Sequence, residues 1–438
     1  MKKFYYWCVA LSVPIITLVT LLSCFSVDVP LIDDYDAVLR YLVQPFPERL
    51  LHLADFNSEH RIFTARIVFE CIYQALGHFD FRACMTIGAI FLLGYGILFY
   101  YLLPFDASDG ACSRLERWYF VPAIWLVVSV LNNDNICWAM TSVSNVPVHF
   151  WALLSILLFA KRRSAFCIVI GIACAVLATF STGCGMAVWG ALAFLLIHEW
   201  LLVKGGWSTA FRERRTLLYG SRKVFLVVLL SGITSVVLYL QGLGTVASKE
   251  STTIWNMLLF FLSFLGGVIP YFGLSIMVGL IVLCVLILML VELPRIKNTA
   301  AMAFVFYLVM CVCAATPFRS FRVMSAIEGR YRIISVSIVV VLLLLIIPCI
   351  RNFSRKIQVV IVCLFSIVTL AYLVAFSLVS LPNLANRNEM LVRGILAWPD
   401  DSSGLIFDDK KLDASLLLKE SREKGIYDPR LAVGCRNK

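Results

Sequence analysis

The chain is predicted to be an all-α polytopic membrane protein of about eleven spanning helices, and three observations predict it. Hydrophobic residues make up 61% of the 438 positions and charged residues only 15%, where a soluble domain carries roughly 25% charged residues. The apolar residues fall in long runs separated by short polar ones, and a spanning helix needs about 20 of them. The runs are unbroken rather than alternating, which favours helices over a β-barrel, because backbone groups in lipid must bond within their own segment.

The first span runs from the Lys2-Lys3 start to about residue 27. No clear A-x-A cleavage site follows it, and Leu22-Ser23-Cys24 is only faintly like a lipoprotein site, so it is read as a retained helix. Further spans are expected at about 84–103, 118–131, 146–160, 165–181, 185–203, 224–241, 273–292, 299–316, 334–350 and 357–380. The run 254–270 is placed as a helix at the outer surface. With the N-terminus inside, the inner segments collect Lys2, Lys3, Arg114, Arg117, Lys161, Arg162, Arg163, Lys204, Arg212, Arg214, Arg215, Arg222, Lys223, Arg295, Lys297, Arg351, Arg355 and Lys356. The outer segments hold fewer basic residues, among them Arg40, Arg49, Arg61, Arg66, Arg82 and Lys249, and the inner excess sets the orientation. The organisation is then a transmembrane domain over 1–380, with a structured first outer loop at 28–83 and a late outer loop at 317–333. An outer C-terminal tail follows over 381–438, partly helical around 411–424, with turn signals at Trp398-Pro399-Asp400-Asp401 and Gly425-Ile426-Tyr427-Asp428-Pro429.

The net charge of +11 does not point to nucleic acid, because the basic residues sit between apolar runs where topology is encoded. The 15 cysteines are scattered through apolar stretches without metal-ligand spacing, so neither a zinc site nor a disulfide framework is inferred. No phosphate-binding P-loop occurs.

Three outer clusters could carry chemistry. Asp33-Asp34-Tyr35-Asp36 follows the first span, and crowded carboxylates raise one another's pKa, which suits a general base. The plainer reading caps a helix over Ala37–Val43 with Asp33 or Asp34, and puts Asp36 in its first turn. Asn57-Ser58-Glu59-His60-Arg61 opens an amphipathic stretch from Ile62 to Leu76 with Arg66 and Glu70 at polar positions, a pattern suited to the membrane interface. Asn57 or Ser58 would cap that helix, and a helix start beside His60 and Arg61 is an anion site. Glu328-Gly329-Arg330-Tyr331-Arg332 follows Arg319 and Arg322 on the side that ordinarily avoids arginine. Phosphate binding explains these arginines, since a guanidinium grips phosphate oxygens in pairs; contact with anionic membrane lipids explains them equally. Asn132-Asn133-Asp134-Asn135 with Trp138 reads as a polar turn, Ser181-Thr182-Gly183-Cys184-Gly185 as a turn between helices, and His149 and His198 as structural.

An acidic cluster after the first span, an E-H-R in the same loop, an R-Y at the outer end of a late span and an outer tail resemble the GT-C membrane glycosyltransferases. The size and layout are most similar to the phage-type serotype-converting O-antigen glucosyltransferases of Gram-negative bacteria. The resemblance covers the layout of nearly the whole chain through short motifs. It implies a bacterial inner-membrane enzyme that takes a sugar, glucose in this subgroup, from a polyprenyl-phosphate donor to a glycan acceptor such as the O-antigen of lipopolysaccharide. On that resemblance Asp34 or Asp36, with Asp33 beside it, is the catalytic acid. Arg330 and Arg332, with Arg61 and His60, hold the donor phosphate. Glu59, Tyr331, Arg319 and Arg322 complete the pocket. Tyr35 stands where the family would have tryptophan. The chemistry expected is a direct, inverting displacement, with arginines stabilising the leaving phosphate and an oxocarbenium-like sugar centre. No metal is assigned; Asp33, Asp36 and Glu59 are the carboxylates that could hold a divalent cation. A flippase or transporter of lipid-linked sugars is the alternative of another class, and would call for charge in mid-span or internal repeats. An O-antigen polymerase or ligase is the enzyme alternative.

Overall fold

The computed structural model describes residues 2–57, 59–103, 117–161, 164–204, 211–242, 252–293, 296–407 and 413–429. Ser58 and the topology-bearing Arg114, Arg162, Arg163, Lys249 and Arg295 lie outside the described residues. The fold is an all-α bundle whose only strands, among the described residues, are the two-residue pair Phe56–Asn57 and His60–Arg61. Eight described helices are long and apolar enough to cross a membrane: Tyr5–Phe25, Phe81–Leu102, Ala139–Lys161, Lys223–Leu240, Phe272–Val291, Thr299–Ile327, Gly329–Ile350 and Arg355–Ala397. Ala165–Thr179, Gly183–Glu199 and Ile254–Leu265 are shorter apolar helices. The chain is therefore a multi-pass membrane protein by length and composition.

The segment expected as a span over 118–131 is not one helix. Phe120–Val127 is helical over 8 residues, about 12 Å against the ~30 Å of a hydrocarbon core. A 3₁₀ turn at Val130–Asn132 and a short helix at Asn133–Ile136 follow. The broken segment nonetheless runs beside the first helix along most of its length. Tyr6 donates to the Arg117 carbonyl at 2.6 Å at one end, and the Cys137 thiol lies 3.8 Å from the Leu21 carbonyl at the other. Irregular backbone survives at such depth only when the protein itself satisfies it. Here Asn132 Nδ2 donates to Val127 O (2.8 Å), Ser129 Oγ to Leu126 O (2.8 Å) and Arg332 Nη1 to Leu131 O (3.1 Å).

The helix Ile254–Leu265, expected at the outer surface, forms a hairpin with Phe272–Val291 and buries its C-terminal half. A Cβ on Gly266 would lie 1.9 Å from Ser275 O, and one on Gly279 1.9 Å from Leu262 O, so only glycine permits this approach. Gly88 plays the same part between Phe81–Leu98 and Ala139–Lys161, where a Cβ would meet the Ser142 side chain at 2.4 Å.

A second core covers one end of the bundle. It joins the first loop (Val29, Tyr35, Leu39, Phe69, Phe81) to the tail (Leu391, Trp398, Leu418, Tyr427). The tail is stitched to the loop by Phe79 N to Ile426 O (2.7 Å), Tyr427 Oη to Asp28 O (2.7 Å) and Lys424 Nζ to Val43 O (2.7 Å). The helix expected around 411–424 is Ala414–Glu423. No break falls at 380, because Arg355–Ala397 continues as one helix of 43 residues through Pro382.

Gly88→Val is expected to cost about 3 kcal/mol through overpacking, read as a lowered melting temperature of the purified protein; an unchanged melting curve would refute the close approach.

Candidate functional site

A cavity of about 310 Å³ lies between the first loop and the helices of the bundle. Its lining brings Glu59, His60, Arg319, Arg330 and Tyr331 together with the apolar Leu240, Phe264, Ala315, Phe318 and Ile334. Four sequence-distant pieces meet there. The His60 strand pairs back on Asn57, Arg319 ends the helix Thr299–Arg319, Arg330 and Tyr331 sit in the 3₁₀ turn that follows, and Gly183 opens another. A Cβ on Gly183 would stand 3.1 Å from His60 Nδ1 and 3.3 Å from the Tyr239 hydroxyl.

Charge in the lining is paired but reachable. Arg319 Nη2 donates to Glu59 Oε2 at 2.7 Å, and Arg330 Nε lies 2.8 Å from Glu328 Oε2. The Arg330 guanidinium also lies over the rings of Tyr331 (5.1 Å) and Trp138 (5.9 Å). Burial, and then the Arg319 charge, hold the His60 imidazole below its usual pKa, so it is neutral at pH 7.

The expected site residues divide. Glu59, His60, Arg319, Arg330 and Tyr331 line one cavity. Asp33 lies close enough for its charge to act on Arg330. Asp34, which with Asp36 was expected as the acid, is fully buried, and its carboxylate accepts from the amides of Leu31 (2.9 Å) and Met140 (2.8 Å). It fastens the loop to the start of helix 139–161 and does not line the cavity. Asp36 pairs with Arg40 at 2.6 Å. Asp33, Asp36 and Glu59 do not converge as a ligand set; among the described residues no group of three or more His, Cys, Asp or Glu could hold a metal ion.

Two arginines expected on phosphate are spent on backbone. Arg61 donates to the carbonyls of Tyr239 (2.8 Å), Ala54 and Gln241. Arg332 donates to those of Leu131, Ile327 (3.1 Å each) and Gly267 (3.3 Å). Arg322 is exposed, 5.6 Å from its neighbour Phe321.

Both expected helix caps fail. The turn after Ile32 leads into a π-helical segment, Tyr35–Arg40, which Asp34 precedes without capping it. Ile32 adopts φ 48°, a conformation a β-branched residue rarely takes. The helix after the E-H-R begins at Phe63 behind Ile62, with no side-chain cap, and Phe63 N instead donates to Phe180 O at 3.0 Å. Its polar residues turn inward. Glu70 pairs with the buried Arg49 at 2.5 Å, and Arg66 Nη1 donates to His52 O (2.6 Å) and Asp55 O (2.8 Å).

Sequence reasoning undervalued the Asn132–Asn135 turn. Asn135 Nδ2 donates to the carbonyl of Arg330 at 3.2 Å, and Asp134 packs so closely that a Cβ on Gly329 would stand 2.1 Å from its Oδ2. Arg387, from the helix that enters the tail, donates to Asp134 Oδ1 at 2.7 Å and to Cys137 O at 3.1 Å. These residues set the turn that carries Arg330. The density of amides was the available signal. Ser181 is no nucleophile: it accepts from Thr64 (2.7 Å) and donates to Leu177 O (2.7 Å). His198 bonds the Leu293 carbonyl at 3.0 Å.

Burial pushes the Asp34 carboxyl from 3.8 up to about 8. The folded protein therefore holds a proton that the unfolded chain releases between those values, and the stability it contributes is full below about pH 4 and lost as pH rises through 8. The melting temperature of the purified protein should fall from about pH 6 to about pH 9, and Asp34→Asn should flatten that fall. An equal slope in the variant would assign the pH dependence to another group.

Compared with models of known protein families and with curated proteins, the chain matches none.

Proposed function

We propose that the protein is a membrane glycosyltransferase that moves a sugar, glucose as the resemblance implies, from a polyprenyl-phosphate donor to a cell-surface glycan such as O-antigen. The observation that carries this reading is the cavity itself: the cationic and carboxylate side chains of Arg319, Arg330 and Glu59 share one lining with apolar residues of spanning helices. An amphiphile with an anionic head and an apolar chain matches both parts of that lining. The reading places the N-terminus in the cytoplasm and the tail in the periplasm of a bacterial inner membrane. The broken segment 120–136 counts as one of eleven spans.

Arg330, with Arg319 beside it, takes the donor phosphate and stabilises the charge that grows on it as the sugar leaves. Glu59 is the expected carboxylate that reaches the cavity, and it takes the acceptor hydroxyl's proton as that oxygen attacks the anomeric carbon. Neutral His60 orients the acceptor. Asp33 tempers the Arg330 charge, while Asp34 and Arg332 serve the fold.

The test is sugar transfer in membranes from cells expressing the chain, supplied with polyprenyl-phosphate glucose and an O-antigen acceptor. Arg330→Ala and Glu59→Gln should each lower transfer about 100-fold or more at matched expression. Asp34→Asn should lower it only in proportion to folded protein. Transfer untouched by Arg330→Ala and Glu59→Gln would remove the cavity from the chemistry. Movement of lipid-linked sugar across the bilayer without transfer would replace the enzyme with a flippase.

A further inference from the structure

The cavity holds polar groups that its charged side chains do not use. Asn145 and His149 stand four residues apart on one face of helix Ala139–Lys161, and both line the cavity. Asn145 lies about two turns further along that helix than Trp138, which touches Arg330. Its carboxamide has no hydrogen-bond partner among the described residues. The side chain is half-buried and faces the cavity, so its amide is open to a ligand that completes its bonds.

His149 is held but not used up. Its Nδ1 lies 2.9 Å from the Tyr307 hydroxyl, which fixes the ring, and Nε2 has no partner among the described residues. Amide and imidazole both donate and accept, as sugar hydroxyls do. The charged side chains of the lining, Glu59, Arg319 and Arg330, come from the outer loops and helix ends rather than from within helix 139–161. Phe264 and Tyr331 give flat apolar walls between. The complementary ligand is anionic at one point and neutral and rich in hydroxyls beyond it.

We propose that Asn145 and His149 hydrogen-bond hydroxyls of the donor's sugar and set which sugar the protein accepts. This rests on the glycosyltransferase reading above. The phosphate sits at Arg330, the sugar ring enters the cavity toward Asn145, and the polyprenyl chain leaves sideways into lipid.

The experiment measures ligand-induced thermal shifts of the purified full chain in lipid nanodiscs. The probes are a short-chain polyprenyl phosphate and the same lipid phosphate carrying glucose, galactose, mannose or N-acetylglucosamine. The parent should bind one sugar-bearing lipid at least about tenfold more tightly than the bare phosphate. Asn145→Leu should melt close to the parent's temperature, because the side chain is half-buried against the cavity. It should keep its affinity for the bare phosphate within about twofold and lose the sugar preference about 10- to 100-fold. Arg330→Ala should weaken both kinds of lipid. A preserved sugar preference in Asn145→Leu, or a parent indifferent to the sugar, would overturn the subsite and leave the donor class standing. Failure of the parent to bind any lipid phosphate would overturn both. A lower melting temperature with unchanged preference would make Asn145 a structural residue.

Discussion

Arg332 is the interaction on which the rest of the bundle depends. It is nearly buried, and its three nitrogens donate to the carbonyls of Leu131, Gly267 and Ile327. Each of those carbonyls lies where a helix has ended or broken, and a bilayer offers no water to satisfy it. One side chain thus closes the gap in the segment 120–136, the end of the helix Ile254–Leu265 and the late outer loop. Ser335, one turn further along, donates to Phe264 O at 2.5 Å and reinforces the same joint. Phe264, Arg330 and Tyr331, next to these breaks in the chain, line the cavity.

This also explains how the arginines divide. Arginine on the outer side of a membrane protein invites a reading as an anion site, and the residue type alone cannot separate a guanidinium aimed at ligand from one that closes backbone. Arg319 and Arg330 pair with carboxylates and face the cavity. Arg61 and Arg332 satisfy carbonyls. Geometry separates them; composition does not.

The helical class, the membrane class and the positions of most long helices were legible from hydropathy, because lipid imposes one rule on every spanning segment. Glu59, His60, Arg319, Arg330 and Tyr331 were singled out in two separate clusters, and their meeting in one cavity, without Arg61, Arg322 and Arg332, needed the tertiary structure. The burial of Asp34 was not, since it depends on the Met140 amide more than a hundred residues away. The inward turn of Arg66 and Glu70 was hidden for a similar reason: hydrophobic periodicity assigns a polar face to solvent, and here that face meets Arg49 and the carbonyls of His52 and Asp55. Asn145 falls just outside the span expected at 146–160, and only the shape of the cavity gives it a neighbourhood.

The helix Arg355–Ala397 makes the spacing of its own residues a form of timing. Tyr372 fixes it to the Val268 carbonyl and Arg387 fixes it to Asp134. Fifteen residues of helix separate these anchors, about 22 Å of rise. Adding or deleting one residue between them would turn one anchor about 100° around the axis relative to the other. The stretch 372–387 should therefore accept substitutions far more readily than changes in length, as a shaft accepts new paint but not a new phase between its gears.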